Sequence, residues 1–160
     1  MQDGRILAAS HDGAYVIRFV GDVRVTLCTT IDDYFQQMFD DQNFASVWVD
    51  LCEAEGIDST TLGLLAKLAL KVKESYGFEP AIYSCDPGIN RLLRSMGFHR
   101  LFQLHEESCN KPEDIAEIPA VEGSEDSVRQ KVIDAHRVLM GISDENRDRF
   151  KDLLNALESN

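Results

Sequence analysis

The stretch Val47–Leu65, VWVDLCEAEGIDSTTLGLL, changes from a strand pattern to a helix pattern across one short polar loop. Ser46–Leu51 is rich in β-branched and aromatic side chains, which favours a central strand. From Leu62 to about Tyr76 the apolar residues recur at helical spacing, which predicts an amphipathic helix. Asp58 and the hydroxyl residues after it stand at the helix start, where polar side chains cap unpaired N–H groups. This order of elements is typical of an α/β domain.

Further elements are predicted on both sides of this stretch. Upstream, the strands Arg5–Ser10 and Tyr15–Val20 flank an Asp-Gly pair typical of a hairpin, and a helix is expected over Thr29–Phe39. Downstream we expect a strand at Pro80–Cys85, a helix from Pro87 to Gly97 and a short strand within 98–104. Alternating strands and helices imply parallel pairing through crossovers. The predicted fold class is therefore α/β, a small mixed β-sheet with helices packed on it.

The C-terminal part of the chain has a different character. Residues 108–123 carry two prolines and several acidic side chains, which predicts a linker with a helical turn near Pro112–Glu117. Two amphipathic stripes follow, joined by Gly141–Ser143, and they predict an αα-hairpin. The residues of the stripes are Val128, Val132, Ala135 and Leu139, then Phe150, Leu153, Leu154 and Leu157. The expected organisation is 1–107 for the domain, 108–123 for the linker and 124–160 for the helical extension.

Composition and charge restrict the classes of function. The chain has 160 residues and a net charge of −12, which disfavours binding to nucleic acid or to an anionic membrane surface. No apolar run approaches the roughly 20 residues of a membrane span, and the N-terminus has no signal-peptide pattern. We therefore expect a cytoplasmic protein.

Cysteine and histidine spacing argues against a metal site or a cofactor. The cysteines are too dispersed for a dense disulfide scaffold, so free and mostly buried thiols are expected at Cys28, Cys52, Cys85 and Cys109. The histidines show no ligand spacing, and there is no glycine-rich phosphate loop. They are His11, His99, His105 and His136. We expect no metal and no cofactor.

The hydroxyl residues after Asp58 have two interpretations. In one, Asp58, Ser59 and Thr60 cap the helix and do nothing else. In the other, Ser59 is a charge switch, because a phosphate on a serine at a helix N-terminus meets unpaired N–H groups and a partial positive charge. The residues alone leave both interpretations open.

The chain resembles the STAS domains of bacterial anti-sigma factor antagonists over about residues 4–106. In that family a buried strand and a short loop lead to Asp-Ser-(Ser/Thr)-(Gly)-Leu-Gly at a helix start, and Ile57–Gly63 follows this pattern with Thr61 at the common glycine position. The early strand Tyr15–Gly21 and the segment from Cys85 through Gly97 to Phe102 match the family's other pieces in order. The helical tail is similar to that of gamma-proteobacterial biofilm and motility regulators.

The resemblance implies a phosphorylation-controlled, protein-binding switch rather than an enzyme. Ser59 corresponds to the phosphate acceptor, with Thr60 as the second choice, and the partner-binding residues are Asp58, Ser59, Thr60, Thr61 and Leu62. The implied partners are an anti-sigma factor, a serine kinase and a phosphatase regulator of the PP2C type. The C-terminal helices are expected to dock on the domain or to form a homodimer, and the pattern does not decide between the two.

Two other functions are compatible with such a fold. A STAS accessory module of a transport complex would use a docking surface without phosphorylation. A serine or cysteine hydrolase would need a base and an orienting group beside its nucleophile. The chain has no G-x-S-x-G elbow and its histidines form no recognisable arrangement, so the sequence disfavours the hydrolase.

Overall fold

A computed structural model describes residues 2–159 of the chain. The strands are β1 Arg5–His11, β2 Ala14–Val23, β3 Ser46–Ile57, β4 Ala81–Tyr83, β5 Gln103–His105 and β6 Ala116–Glu117. The helices are α1 Cys28–Asp40, α2 Ser59–Tyr76, α3 Pro87–Ser95, α4 Glu125–Met140 and α5 Asp144–Glu158. Short 3-10 turns occupy Val25–Leu27 and Phe98–Arg100.

The strands form one mixed sheet in the order β5-β4-β3-β2-β1-β6. β1 and β2 are antiparallel and are joined at Asp12-Gly13, where both residues have positive φ as a two-residue hairpin turn requires. The pairs β2–β3, β3–β4 and β4–β5 are parallel. This arrangement confirms the predicted α/β class with a small mixed sheet.

Helices α1, α2 and α3 pack on one face of this sheet, and α4 and α5 form an outer layer in which α4 packs on α2. β3 sends Val47, Val49 and Leu51 into the core, and α2 covers them with the apolar side of its stripe. The structure extends β3 past the predicted end at Leu51 as far as Ile57. As a result only Asp58 lies between the end of β3 and the first residue of α2.

The opposite face of β3 carries the alternate residues Trp48, Asp50 and Cys52. Asp50 is 1% exposed and accepts a hydrogen bond of 2.9 Å from Arg18 Nε, its neighbour in the parallel register. Trp48 is half-buried on this face rather than in the main core. The chain after β5 crosses the same face, where Lys111 lies 3.7 Å from Glu53.

The expectation of four free thiols is wrong for two cysteines. Cys52 and Cys85 are joined as a disulfide with their Cα atoms 5.0 Å apart. The reason is sheet adjacency: Asp50 is paired with Tyr83 in the register, so the residues two further along each chain also face each other. Cys28 is a buried free thiol as expected, whereas Cys109 is free and only partly buried.

The segment between the domain and the hairpin contributes to the sheet. Ala116–Glu117 pairs with β1 as a short antiparallel strand. Of the expected helical turn near Pro112–Glu117 only a turn at Glu113–Asp114 is present, and it does not continue into a helix. The predicted C-terminal helical hairpin is confirmed, with Ser143 as the cap of α5. Its second stripe needs one correction, because Leu153 is 43% exposed while Phe150 and Leu154 are buried. Within the described part of the chain, no helix has the length and apolarity needed to cross a membrane.

Candidate functional site

Asp58 fixes the start of α2 through both of its carboxylate oxygens. Oδ1 accepts a hydrogen bond of 2.9 Å from the backbone N–H of Thr61, which is the geometry of a helix N-cap. Oδ2 accepts a hydrogen bond of 2.7 Å from the backbone N–H of Val25, in the turn that follows β2. One side chain therefore ties the β3–α2 connection to the β2–α1 connection and sets where the next residue, Ser59, points.

Ser59 is the first residue of α2, and its hydroxyl is held by a residue of the C-terminal extension. Its Oγ lies 2.8 Å from Nε2 of His136, which is on α4. The His136 ring is 2% exposed and packs edge-on against Phe150, with ring centroids 5.2 Å apart. The Ser59 side chain is thus enclosed by its own chain on the side of α4.

The hydrogen bonds of His136 indicate which group is the donor in the contact between Ser59 and His136. His136 Nδ1 lies 2.7 Å from the carbonyl oxygen of Val132, which can only accept, so Nδ1 carries the proton. In a neutral imidazole Nε2 is then the acceptor. With a neutral ring, Ser59 Oγ therefore donates a hydrogen bond to Nε2 of His136.

α4 reaches α2 closely because position 63 has no side chain. A Cβ at Gly63 would lie 2.5 Å from the Cβ of Ala135 on α4 and would also collide with the Ala135 carbonyl. Further along the interface the contact is electrostatic: Asp32 of α1 lies 4.0 Å from Lys131 Nζ and 3.9 Å from Lys67 Nζ. Leu139 of α4 and Phe150 of α5 belong to the hydrophobic core, so the hairpin meets the domain through apolar contacts as well as this close backbone approach and the charged side chains.

The turn of the hairpin is held against the domain beside the C-terminal end of α3. Asn146 is fully buried and its Nδ2 donates hydrogen bonds of 2.9 Å to the carbonyls of Met96 and Leu139. Arg100 donates a hydrogen bond of 3.0 Å to the Ile142 carbonyl. The hairpin therefore docks on its own domain, which is one of the two arrangements that the sequence left open.

The structure brings the predicted site residues together at the first turn of α2. Asp58 and Ser59 are partly exposed, whereas Thr60, Thr61 and Leu62 are buried. Among residues 2–159, no group of three acidic, histidine or cysteine side chains is placed to hold a metal ion. Sequence reasoning missed the contact of His136 with Ser59, although a local signal existed. Val132, Ala135, His136 and Leu139 have i, i+3, i+4, i+7 spacing, so His136 belongs to the buried stripe of α4.

The Ser59–His136 pair has the distance of a nucleophile and its base, and a carbonyl orients the imidazole. A hydrolase also needs space for a substrate beside the nucleophile. Here the imidazole is closed in by Phe150 and by α2 itself. The arrangement is that of a packed interhelical hydrogen bond.

Comparison with known families assigns the domain. The STAS domain family matches residues 5–109, which is more than half of the chain. The protein therefore belongs to the STAS domain family. No curated protein sequence matches it significantly.

Solved structures share this fold. The crystal structure of an anti-sigma factor antagonist from Mycobacterium paratuberculosis superposes with a TM-score of 0.56 at 21% identity, covering 64% of this chain and 86% of that one. The anti-sigma factor antagonist SpoIIAA in its unphosphorylated form superposes with a TM-score of 0.51 at 11% identity, covering 81% of this chain and 97% of that one. At these identities the likeness is one of fold.

Proposed function

We propose that this protein is an anti-sigma factor antagonist that works as a phosphorylation-controlled switch, with Ser59 as the phosphate acceptor. The observation that carries the proposal is the place of Ser59: it follows the Asp58 cap as the first residue of α2, in a STAS fold shared with known antagonists. The protein is a binding module and not an enzyme. Its partners are an anti-sigma factor, a serine kinase and a phosphatase regulator of the PP2C type.

The chemistry of the switch follows from the helix terminus. A phosphate on Ser59 adds a charge of roughly −2 at the end of α2 where unpaired N–H groups favour an anion. The same charge is costly in an interface that a partner has desolvated. Unphosphorylated Ser59 therefore permits partner binding at Asp58–Leu62, and phosphorylation releases the partner. Asp58 and Ser59 are the partly exposed residues of this surface.

The proposed setting is the cytoplasmic control of transcription in motility or biofilm formation. What supports it is the combination of a STAS domain with a helical extension and a net charge of −12, which suits a basic protein partner. The anti-sigma factor would thus bind the domain and be released on phosphorylation.

One observation favours a second candidate. Because the Ser59 hydroxyl is hydrogen-bonded to the buried His136, a kinase would have to break this contact before it could modify Ser59. A STAS accessory module of a transport complex needs no phosphorylation, so it could keep the Ser59–His136 contact at all times. The two candidates differ in whether charge at Ser59 changes partner binding.

Co-purification from the native host separates them. Tagged full-length wild type, Ser59→Ala and Ser59→Asp are compared with Ser95→Asp, a matched control at an exposed serine of α3. We expect wild type, Ser59→Ala and Ser95→Asp to retain the anti-sigma factor, and Ser59→Asp to lose at least about nine-tenths of it, a change of roughly 1.4 kcal/mol in affinity. Equal recovery with all four proteins would contradict the switch and favour the accessory module.

A further inference from the structure

The surface of α2 that carries Ser59 and Gly63, here called the Ser59 face, is occupied by a helix of the same chain. α4 covers it with Ala135 over Gly63 and His136 over Ser59. These two contacts belong to consecutive residues of α4, so they define what the face accepts. It accepts a helix with a small residue followed directly by a hydrogen-bond acceptor.

Gly63 makes the face selective for a small residue. Because the α4 backbone lies within van der Waals reach of the Gly63 Cα, any Cβ at position 63 would collide with Ala135. By the same geometry a residue larger than alanine at the position of Ala135, which is 1% exposed, would be held away from α2.

Towards the N-terminus of α4, beyond the Ala135–Gly63 contact, α2 and α4 pack less closely. A crevice of about 310 Å³ remains between α2 and the first half of α4, and most of its lining side chains are polar or charged. The crevice opens to the surface, so the first half of α4 is packed less tightly against α2 than the segment around Ala135 is. The long segment between β5 and α4 can release the helix without breaking the parallel strands of the sheet.

We propose that the Ser59 face is a helix-binding surface which α4 fills in the resting protein, and that a partner binds by displacing α4 with a helix of the same chemistry. The proposal rests on the proposed function only in identifying the partner, because the competition itself involves unmodified Ser59. Partner affinity is then reduced by the tethered hairpin, which competes at an effective concentration that a free helix must exceed.

In the test, the hairpin is added to the protein as a separate peptide. The probe is a fluorescein-labelled synthetic peptide of residues 124–159, and its binding to full-length protein is followed by fluorescence anisotropy. Ala135→Arg should expel the tethered hairpin and leave the face intact, whereas Gly63→Ala destroys the face. Leu153→Arg is the matched control, because it adds the same side chain at an exposed position of the hairpin.

We expect Ala135→Arg to bind the peptide about 100-fold more tightly than wild type or Leu153→Arg. Adding Gly63→Ala to Ala135→Arg should abolish that binding. Equal binding by wild type and Ala135→Arg would overturn the proposal, as would binding that survives Gly63→Ala. Loss of the sheet signal in circular dichroism of Ala135→Arg would also overturn it, because a displaceable cover must be dispensable for folding. None of these outcomes depends on phosphorylation, so the proposed function is tested separately.

Discussion

The Ser59 hydroxyl and the His136 imidazole lie 2.8 Å apart, although 77 residues separate them in the chain. Ser59 begins α2, inside the residues 5–109 that match the family, and His136 belongs to an extension outside them. A phosphate on Ser59 would replace the hydroxyl that contacts the buried imidazole. Modification of Ser59 would therefore break or rearrange this contact between α2 and α4.

Removing the Asp58 carboxylate should destabilise the domain through two orphaned N–H groups. Asp58→Ala leaves the backbone N–H groups of Thr61 and Val25 without their acceptor, and we expect a loss of about 2 kcal/mol in the free energy of unfolding. Asp58→Asn keeps one acceptor oxygen and should lose less. Urea unfolding measures both variants, and an equal loss in the two would show that the paired hydrogen bonds are not the cause.

Alkaline pH should weaken the protein through Tyr15. Burial, and then the hydrogen bond of 2.5 Å that its hydroxyl donates to Asp41, raises the pKa of Tyr15 to about 12 from 10.0. The folded state keeps this proton more tightly than the unfolded state does. The resulting stability is complete below pH 10 and is lost as the pH rises towards 12.

The corresponding measurement is the free energy of unfolding between pH 9 and pH 12. It should fall more steeply for wild type than for Tyr15→Phe, which has no hydroxyl to ionise. The exposed Tyr76→Phe serves as the control and should follow wild type. Parallel curves for wild type and Tyr15→Phe would be inconsistent with the Tyr15–Asp41 contact.

Reduction of the Cys52–Cys85 disulfide should lower stability. The bond closes a loop between residues 33 apart, for which chain entropy gives about 3.7 kcal/mol. Dithiothreitol should therefore destabilise wild type but not the double variant Cys52→Ser, Cys85→Ser. The variant Cys109→Ser keeps the bond and should remain sensitive to reduction; a reductant effect that persists in the double variant would assign it to another source.

Truncating the centre of the hairpin interface should loosen α4 specifically. Leu139 is fully buried against the main core, and Leu139→Ala should cost about 3 kcal/mol. Because the hairpin can open without the sheet, the amides of α4 should exchange roughly 100-fold faster while those of β3 keep their protection. Leu153→Ala is the exposed control and should change neither. Equal acceleration in β3 and α4 would mean that the hairpin and sheet unfold as one unit.

The parts of this fold that local patterns govern could be predicted from the sequence. The β3 run, the Asp58 cap and the α2 stripe each depend on neighbouring residues, and the structure shows all three elements. The hairpin turn at Asp12-Gly13 likewise depends only on adjacent residues.

The features that escaped prediction depend on contacts between distant residues. The Cys52–Cys85 bond follows from the register of β3 and β4, which Cys spacing does not reveal. β6 has two residues and forms only because β1 offers an edge. The position of His136 in the α4 stripe indicates burial, but only the fold of the hairpin places it beside Ser59.

The most direct test of the central claim is phosphosite mapping by mass spectrometry of the full-length protein isolated from its own cells. We predict one phosphate on the peptide that contains Ser59, its loss in Ser59→Ala and its retention in Thr60→Ala, because the Thr60 side chain is buried. A phosphate that persists in the double variant Ser59→Ala, Thr60→Ala, or a protein that carries no phosphate in any growth phase, would contradict the account.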